Sequence, residues 1–228
     1  MTPKEVNSMN KILIATNALP PVIGGLENIT HDIATYLSHP DKSVTVLVSK
    51  KPLEGYKDRK YNVLYLKSIT LIKRLPIPLP TFSNIEILFN LRKEYFDAIL
   101  LQSHLFVSNW LVAVTVDKFN NMIWLNYGGG YVSHRSRLIS SLIRCYEKFG
   151  WALLNSKSTC VLSQSEKSAK RFESLSGRKS NVIGNCVPNE LIELEPIKYS
   201  GNSFKKFLFV GRLVEDKGIM SLLSIYAD

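Results

Sequence analysis

Short, almost continuous apolar runs alternate along most of the chain with longer segments in which apolar residues recur every three or four positions. The short runs are typical of strands covered on both faces, and the longer segments have the period of amphipathic helices. This alternation predicts an α/β domain built on a doubly wound parallel sheet. The predicted strands are Ile12–Thr16, Val44–Val48, Val63–Leu66, Ala98–Leu101, Met122–Leu125, Thr159–Leu162 and Asn181–Ile183. The predicted helices are Leu26–Ser38, Ser83–Lys93, Val107–Val116, Leu138–Asn155 and Gln164–Ser174.

The pattern changes after the seventh predicted strand. Residues 189–205 contain Pro196, Gly201 and several polar residues, which predicts a linker after a first domain that spans residues 1–188. A new apolar run, Lys206–Val210, a glycine turn and a helix from about Lys217 follow the linker. One strand and one short helix cannot bury a core of their own. We therefore expect residues 206–228 to be the truncated start of a second domain.

The overall composition is that of a globular protein, with 228 residues of which 45% are hydrophobic and 21% charged. These values argue against a disordered chain and against a protein with several membrane spans. The first eleven residues are polar, and the apolar run after them is too short for a secretory signal. Three widely spaced cysteines predict neither a disulfide framework nor a zinc site. We expect reduced thiols in a cytoplasmic protein.

The net charge is +10, and the excess of cations is concentrated in two stretches. Residues 42–74 contain nine Lys and Arg against two acidic residues, and residues 135–179 contain ten against three. A basic surface attracts nucleic acids, anionic lipid headgroups and diphosphate ligands alike, so charge alone does not choose among them. Because no nucleic-acid-binding motif accompanies the charge, no nucleic-acid partner is expected.

The segment Leu71–Pro80 combines two cations with apolar residues between prolines. One interpretation is a loop that rests in a membrane interface near a lipid-linked acceptor. The other is a surface loop whose leucines pack on their own domain. On the first interpretation, the basic segment from Lys50 to Pro80 binds anionic membranes in preference to neutral ones.

A proline-glycine turn follows the first predicted strand. Pro20 and Pro21 end the strand, and Gly24 and Gly25 let the backbone turn tightly into the first helix. A helix amino terminus at this point is a good anion site, which Glu27 in the first turn also suits through the helix dipole. The alternative is a flexible turn without a ligand, since the pattern is neither of the common phosphate-binding glycine motifs.

A second strand–turn–helix pattern lies near the end of the sequence. Residues 209–218 read Phe-Val-Gly-Arg-Leu-Val-Glu-Asp-Lys-Gly, so Arg212 and Lys217 lie five residues apart after the apolar run. Two cations in that position suit a diphosphate, because Arg offers a bidentate fork and Lys a point charge. The alternative is a solvated basic turn.

These two segments and three others resemble the retaining glycosyltransferases of the GT-B fold, family 4 type. Pro21–Glu27 is similar to the family's proline-glycine-glycine-x-glutamate turn, and Val210–Gly218 to its valine-glycine-arginine-leucine and lysine-glycine element. Asp97–His104 resembles the family's fourth strand, which ends in a histidine near the sugar. Val161–Glu166 and Val182–Pro188 resemble a strand end and a crossing segment of the family, so the likeness covers nearly the whole chain.

The resemblance implies a Rossmann-like GT-B amino-terminal domain that binds the acceptor, and a second domain that binds a nucleotide-diphosphate sugar. It implies that His104 lies at the catalytic centre, where it hydrogen-bonds or shields the reacting sugar. Without the resemblance, His104 is simply a histidine that closes a strand. Tyr127 and Gly128 are implied on the acceptor side. Arg212 and Lys217 are implied as the cations that neutralise the diphosphate leaving group.

The resemblance also implies that the backbone amides of Gly24 and Gly25 approach the same phosphates. Transfer in this scheme needs no metal and no cofactor beyond the nucleotide-sugar substrate, and no cluster of metal-ligating residues is evident in the sequence. The implied acceptor is a saccharide or a lipid-linked saccharide of cell-surface polysaccharide or lipopolysaccharide assembly. The implied location is the cytoplasm, with peripheral contact at an anionic membrane. We expect Gly24, His104 and Gly128 to lie along one edge of the sheet, because each follows a predicted strand.

The sequence departs from the family pattern at several positions. Cys186 and Pro188 replace a glycine and an aspartate, and Asn126-Tyr127-Gly128 replaces a histidine-glycine pair. The family's paired glutamates and its pocket for base and ribose would lie beyond Asp228. The alternative to an enzyme is therefore a non-catalytic remnant or one half of a split glycosyltransferase. In either case we expect the chain by itself to have little or no transferase activity.

Overall fold

The computed structural model describes residues 11–51, 59–72, 75–116, 121–127, 136–184, 209–211 and 218–227. The chain divides into two compact units, residues 1–185 and 186–228, and each is described by itself. The domain and linker limits expected from the sequence remain predictions.

The first unit is built on a seven-stranded sheet. Its strands are β1 (Lys11–Ala15), β2 (Ser43–Val48), β3 (Asn62–Tyr65), β6 (Ala98–Gln102), β7 (Met122–Asn126), β8 (Cys160–Ser163) and β9 (Asn181–Val182). Their order in the sheet is β3-β2-β1-β6-β7-β8-β9, and every neighbouring pair is parallel. All seven strands predicted from the sequence are present, with bounds that shift by one residue at most ends.

Among the described residues, the helices that connect these strands are α1 (Gly25–Leu37), α2 (Phe82–Lys93), α3 (Val107–Thr115), α4 (Arg137–Lys157) and α5 (Glu166–Ser176). The chain runs outward from β1 in one direction through β2 and β3, and then in the other direction from β6 onward. The doubly wound fold class is thereby confirmed. In such a sheet, the crevice for a ligand lies where the direction reverses, at the carboxyl ends of the strands.

Two apolar clusters cover the two faces of the sheet. On one face, Ala34 of α1 packs with Ile14 and Val46. On the other, residues of α2, α3, α4 and α5 pack with alternate strand residues around the fully buried Trp124. Because both faces are buried, the central strands are apolar at almost every position, which is why they were visible in the sequence.

The segment expected to be a loop at Leu71–Pro80 instead contains strands. An antiparallel hairpin is formed by β4 (Ser68–Ile72) and β5 (Leu75–Pro78), so the loop expectation is wrong there. Prolines are tolerated in this two-stranded sheet because edge strands need not donate every amide. Asn84, on α2 and buried, holds the hairpin's base: it accepts from the Lys67 amide and donates to the Lys67 and Leu79 carbonyls, each at 2.8 Å.

The second unit is described in two pieces. Residues 209–211 have no regular secondary structure, so the strand predicted at Lys206–Val210 is not formed at its described end. A helix near the predicted position is confirmed as α6 (Ile219–Ala227), which follows Gly218 with φ +72°. Arg212, Lys217 and the predicted linker lie outside the described residues. Among the helices described in the two units, none is long and apolar enough to cross a membrane.

Candidate functional site

Buried polar residues collect at the carboxyl edge of the sheet, where a ligand is expected from the strand order. The strand ends are joined there in register: the Thr16 amide donates to the Leu47 carbonyl, and the Ser103 amide to the Leu125 carbonyl. The polar residues of this edge are almost fully buried; they are Thr16, Asn17, Ser49, Gln102, Asn126 and Ser163. A polar edge on an apolar sheet is not needed for folding and therefore marks a candidate functional site.

Several polar atoms at this edge have no hydrogen-bond partner among the described residues. They are the hydroxyls of Thr16 and Ser49, the amide nitrogen of Gln102 and the amide oxygen of Asn109. A buried donor or acceptor left unsatisfied costs about 1–3 kcal/mol. Natural proteins keep such groups mainly where they serve a ligand, a bound water or catalysis.

Tyr127 links the ends of β6 and β7. Its hydroxyl donates to Gln102 Oε1 over 2.9 Å, and burial raises the pKa of the phenol, so it stays protonated at any physiological pH. A protonated phenol fixed in this way presents its ring and backbone at the edge in one orientation. The structure thus places Tyr127 at the predicted edge, while its neighbour Gly128 lies outside the described residues.

His104 follows β6 and is only partly exposed. Its ring meets the buried Trp124 edge to face, with centroids 5.9 Å apart. Burial, and to a lesser degree the nearby Arg171 guanidinium, lowers the pKa of His104 from 6.5 to about 4. The imidazole is therefore neutral at pH 7, where one ring nitrogen can donate a hydrogen bond and the other can accept one, but the ring cannot act as a general acid.

The backbone around His104 is held from α3. Ser103 has φ +68°, a left-handed conformation that is uncommon for a residue with a side chain. Asn109 donates through Nδ2 to the Gln102 and Ser103 carbonyls, the latter at 2.7 Å. Trp110 donates through Nε1 to the His104 carbonyl at 2.8 Å. These bonds stabilise a conformation that the strand end would not keep by itself.

Helix α4 supports the same turn from its other side. The Tyr146 hydroxyl donates to the Leu105 carbonyl at 2.5 Å, and burial raises its pKa to about 12. Gly150 lies so close that a Cβ there would overlap the His104 carbonyl oxygen and approach the Trp110 ring to 2.6 Å. These supporting residues were not predicted from the sequence. The glycine inside a long helical pattern was the available signal, because such a glycine often marks a close approach.

The amino terminus of α1 begins on this edge, after β1. Gly24 precedes the helix without a side-chain cap, and its carbonyl accepts from the Asn28 amide at 3.2 Å. The Glu27 carboxylate folds back over Gly24, where an added methyl group would overlap it. Nothing lies within 4 Å of the position that a Cβ on Gly25 would take. The protein's own carboxylate therefore occupies part of the predicted anion site, next to an open approach to Gly25.

The topology brings three of the predicted site positions to one edge: the start of α1 at Gly24 and Gly25, His104 after β6, and Tyr127 after β7. The predicted diphosphate cations and Gly128 lie outside the described residues. Within the described ranges, no group of three or more His, Cys, Asp or Glu side chains could hold a metal ion.

Comparison with curated proteins finds a relative along nearly the whole sequence. The chain is 26% identical over 244 aligned residues to an uncharacterized glycosyltransferase of Methanocaldococcus jannaschii, which covers 96% of this chain. The chain spans only 59% of that relative's length. No protein-family model matches the sequence.

Comparison with solved structures finds the UDP-N-acetylglucosamine 2-epimerase of Rickettsia bellii. The two sequences are 12% identical, and the TM-score is 0.46. The matched part covers 77% of this chain and 45% of the epimerase chain. At that level the likeness says nothing about function.

Proposed function

We propose that this protein takes part in moving a sugar from a nucleotide-diphosphate sugar to a saccharide or lipid-linked acceptor. The observation that carries the proposal is the buried polar edge of the sheet, with unsatisfied side-chain atoms beside Tyr127 and His104. The similarity to a glycosyltransferase along 96% of the chain supports the same reaction class. In this proposal the first unit supplies the acceptor side of the reaction.

Each residue at the edge has a role in this scheme. Tyr127 and the following Gly128 line the acceptor side, with the Tyr127 ring held by Gln102. The neutral His104 gives one hydrogen bond to the sugar or shields the reacting carbon from water, and it carries no proton to the leaving group. The reaction type we propose is transfer with retention, as in family 4 of the GT-B glycosyltransferases.

The diphosphate leaving group needs positive charge as the bond to the sugar breaks. Arg212 and Lys217 supply it in this proposal, together with the backbone amides of Gly24 and Gly25 at the start of α1. Glu27 then has to leave the helix terminus, which only requires rotation of its flexible side chain. No metal and no further cofactor takes part in the scheme.

The proposed setting is cell-surface polysaccharide or lipopolysaccharide assembly at the cytoplasmic side of a membrane. The net charge of +10 suits peripheral contact with anionic lipid. The partners are a nucleotide sugar, a saccharide or lipid-linked acceptor and the membrane surface, without a nucleic acid.

Chemical-shift mapping tests the acceptor role directly. The isotope-labelled chain is titrated with a panel of oligosaccharides and detergent-solubilised lipid-linked saccharides. The expected shifts cluster at Thr16, Gln102 and Tyr127, at the carboxyl edge. Shifts confined to the opposite edge, or none with any saccharide, would refute the proposed acceptor site. Tyr127→Phe is the matched variant, since it keeps the ring but loses the hydrogen bond to Gln102.

A further inference from the structure

Helix α4 carries a stripe of large apolar side chains on its solvent side. Leu138 is 73% exposed, Leu142 63% and Phe149 60%, and the exposed Cys145 lies between the last two. Their spacing of i, i+4, i+7 and i+11 puts all four on one face of the helix. At about 1.5 Å per residue, the stripe extends for roughly 16 Å.

The other face of α4 already has its core partners. Ser140, Glu147, Gly150 and Leu154 are the buried residues of the helix, and Leu154 belongs to the main apolar cluster. The stripe is therefore a second apolar face, which the described part of the chain leaves largely exposed. Phe149, at its carboxyl-terminal end, also meets the Trp110 ring edge to face, with centroids 5.2 Å apart. A contiguous apolar face of this kind, rimmed by polar residues, marks an interaction surface.

Cations border the stripe without exposed carboxylates on the same helix. Arg137, Arg144 and Lys148 are exposed. Glu147, the only acidic residue of α4, is buried on the opposite side. Large exposed apolar residues flanked by Lys and Arg are typical of helices that lie in the interface of an anionic bilayer.

A second copy of the chain fits this surface less well. A two-fold interface would set the stripe of one copy against the stripe of the other and bring the same cations together. A shorter apolar row on α2 is also a weaker candidate for lipid. Glu86 is exposed beside Phe82 and Phe89 there, and the Lys93 Nζ already lies 4.1 Å from the centre of the Phe89 ring.

We infer that α4 is the helix that docks this protein on an anionic membrane. Leu138, Leu142 and Phe149 enter the headgroup region, and Arg144 and Lys148 contact lipid phosphates. The inference rests on the peripheral membrane contact of the proposed function and assigns it to one helix. Because α4 follows β7, its amino-terminal end lies toward the carboxyl edge of the sheet. A lipid-linked acceptor would therefore leave the bilayer beside the candidate site.

Vesicle sedimentation of the full chain tests this assignment. Vesicles of phosphatidylcholine are compared with vesicles that also contain phosphatidylglycerol, at low and high salt. Leu142→Glu should weaken binding to the anionic vesicles about tenfold or more, since it replaces an inserted apolar side chain by a charge. Arg144→Gln should weaken it about fivefold at low salt and less at high salt.

The matched control is Tyr36→Glu, which introduces the same charge at an even more exposed residue of α1, on the opposite face of the sheet. It should leave vesicle binding unchanged. Circular dichroism checks that each variant is folded. If Leu142→Glu does not fold, Arg144→Gln carries the test. Phe82→Glu on α2 provides the comparison with the weaker surface.

The outcomes separate this inference from the proposal on which it rests. The assignment to α4 is overturned, while membrane contact stands, if Leu142→Glu and Arg144→Gln leave vesicle binding of the wild-type strength. The same holds if only Phe82→Glu removes the binding. Absence of wild-type binding, or equal binding to neutral vesicles, overturns the anionic membrane contact itself. A wild-type dimer that Leu142→Glu turns into a monomer without affecting vesicle binding shows that the stripe binds a second copy instead.

Discussion

Replacing Gly150 by Ala should destabilise the protein, although the same change in most helices is stabilising. In an exposed helix interior, Ala is favoured over Gly by about 1 kcal/mol. At Gly150, however, the new methyl group would overlap the His104 carbonyl oxygen and lie 2.6 Å from the Trp110 ring. A backbone oxygen cannot rotate away as the end of a flexible side chain can.

The size of the effect follows from these opposed contributions. Overpacking of a core position costs about 1–3 kcal/mol, and contact with backbone places this site at the upper end. After the gain in helix propensity is subtracted, the free energy of unfolding should fall by about 2 kcal/mol. The strain should also loosen the hydrogen bond from Trp110 to His104.

Urea denaturation followed by tryptophan fluorescence measures this change. The chain's three tryptophans, Trp110, Trp124 and Trp151, all contact the same apolar cluster and therefore report on its unfolding. Gly25→Ala is the matched control, because the first residue of α1 has no atom within 4 Å of an added Cβ. It should be neutral or slightly stabilising. A Gly150→Ala protein as stable as the wild type, or more stable, would show that α4 does not pack on the turn of His104 as described.

Three further predictions concern stability. The pKa of His104 is about 4 in the folded protein, against 6.5 for a solvent-exposed histidine. Below pH 6.5 the imidazole is therefore protonated in the unfolded state but not in the folded state. The free energy of unfolding should therefore fall by at most about 3 kcal/mol between pH 6.5 and 4, and His104→Gln should flatten that slope in a pH series of urea melts. Arg178→Lys should lower the free energy of unfolding by about 1–2 kcal/mol, because the guanidinium donates to the Ser158 carbonyl at 2.9 Å at the end of α4. An unchanged melting temperature would contradict that bond. Asn84→Ala should lower the free energy of unfolding by about 2–3 kcal/mol, because it removes the hydrogen bonds at the base of the β4–β5 hairpin. Asn90→Ala, on the exposed side of α2, should change it little. Equal losses would show that the hairpin does not depend on Asn84.

The strands were predictable because the continuous apolar run of a buried parallel strand is a local feature of the sequence. Ile12, Val46 and Leu101 lie in runs that are apolar at nearly every position, as burial on both faces requires. The hairpin at Ser68–Pro78 was missed because its prolines and cations suggest a loop. Its position depends on Asn84, a contact across 17 residues that no local pattern shows.

The candidate site was predictable in place but not in detail. A strand followed by a histidine puts His104 at the carboxyl edge in any parallel sheet. The sequence did not show that Trp124 would lie against its ring or that burial would lower its pKa, because both depend on residues from other strands and helices. The unsatisfied amide of Gln102 is likewise visible only once the packing around β6 is known.

The most direct test of sugar transfer follows the release of nucleoside diphosphate from a panel of nucleotide sugars in the presence of saccharide and lipid-linked acceptors. The chain is assayed as it stands and joined to the part of the Methanocaldococcus jannaschii relative that the alignment leaves uncovered. Acceptor-dependent release by the joined protein is expected at about 1 per second, an ordinary enzyme rate. His104→Ala should lower this rate at least about tenfold, and the chain alone, which spans 59% of the relative's length, should release less diphosphate than the joined protein. A joined protein that binds nucleotide sugar but releases no diphosphate with any acceptor, or that works equally well with His104→Ala, would contradict the proposed sugar transfer.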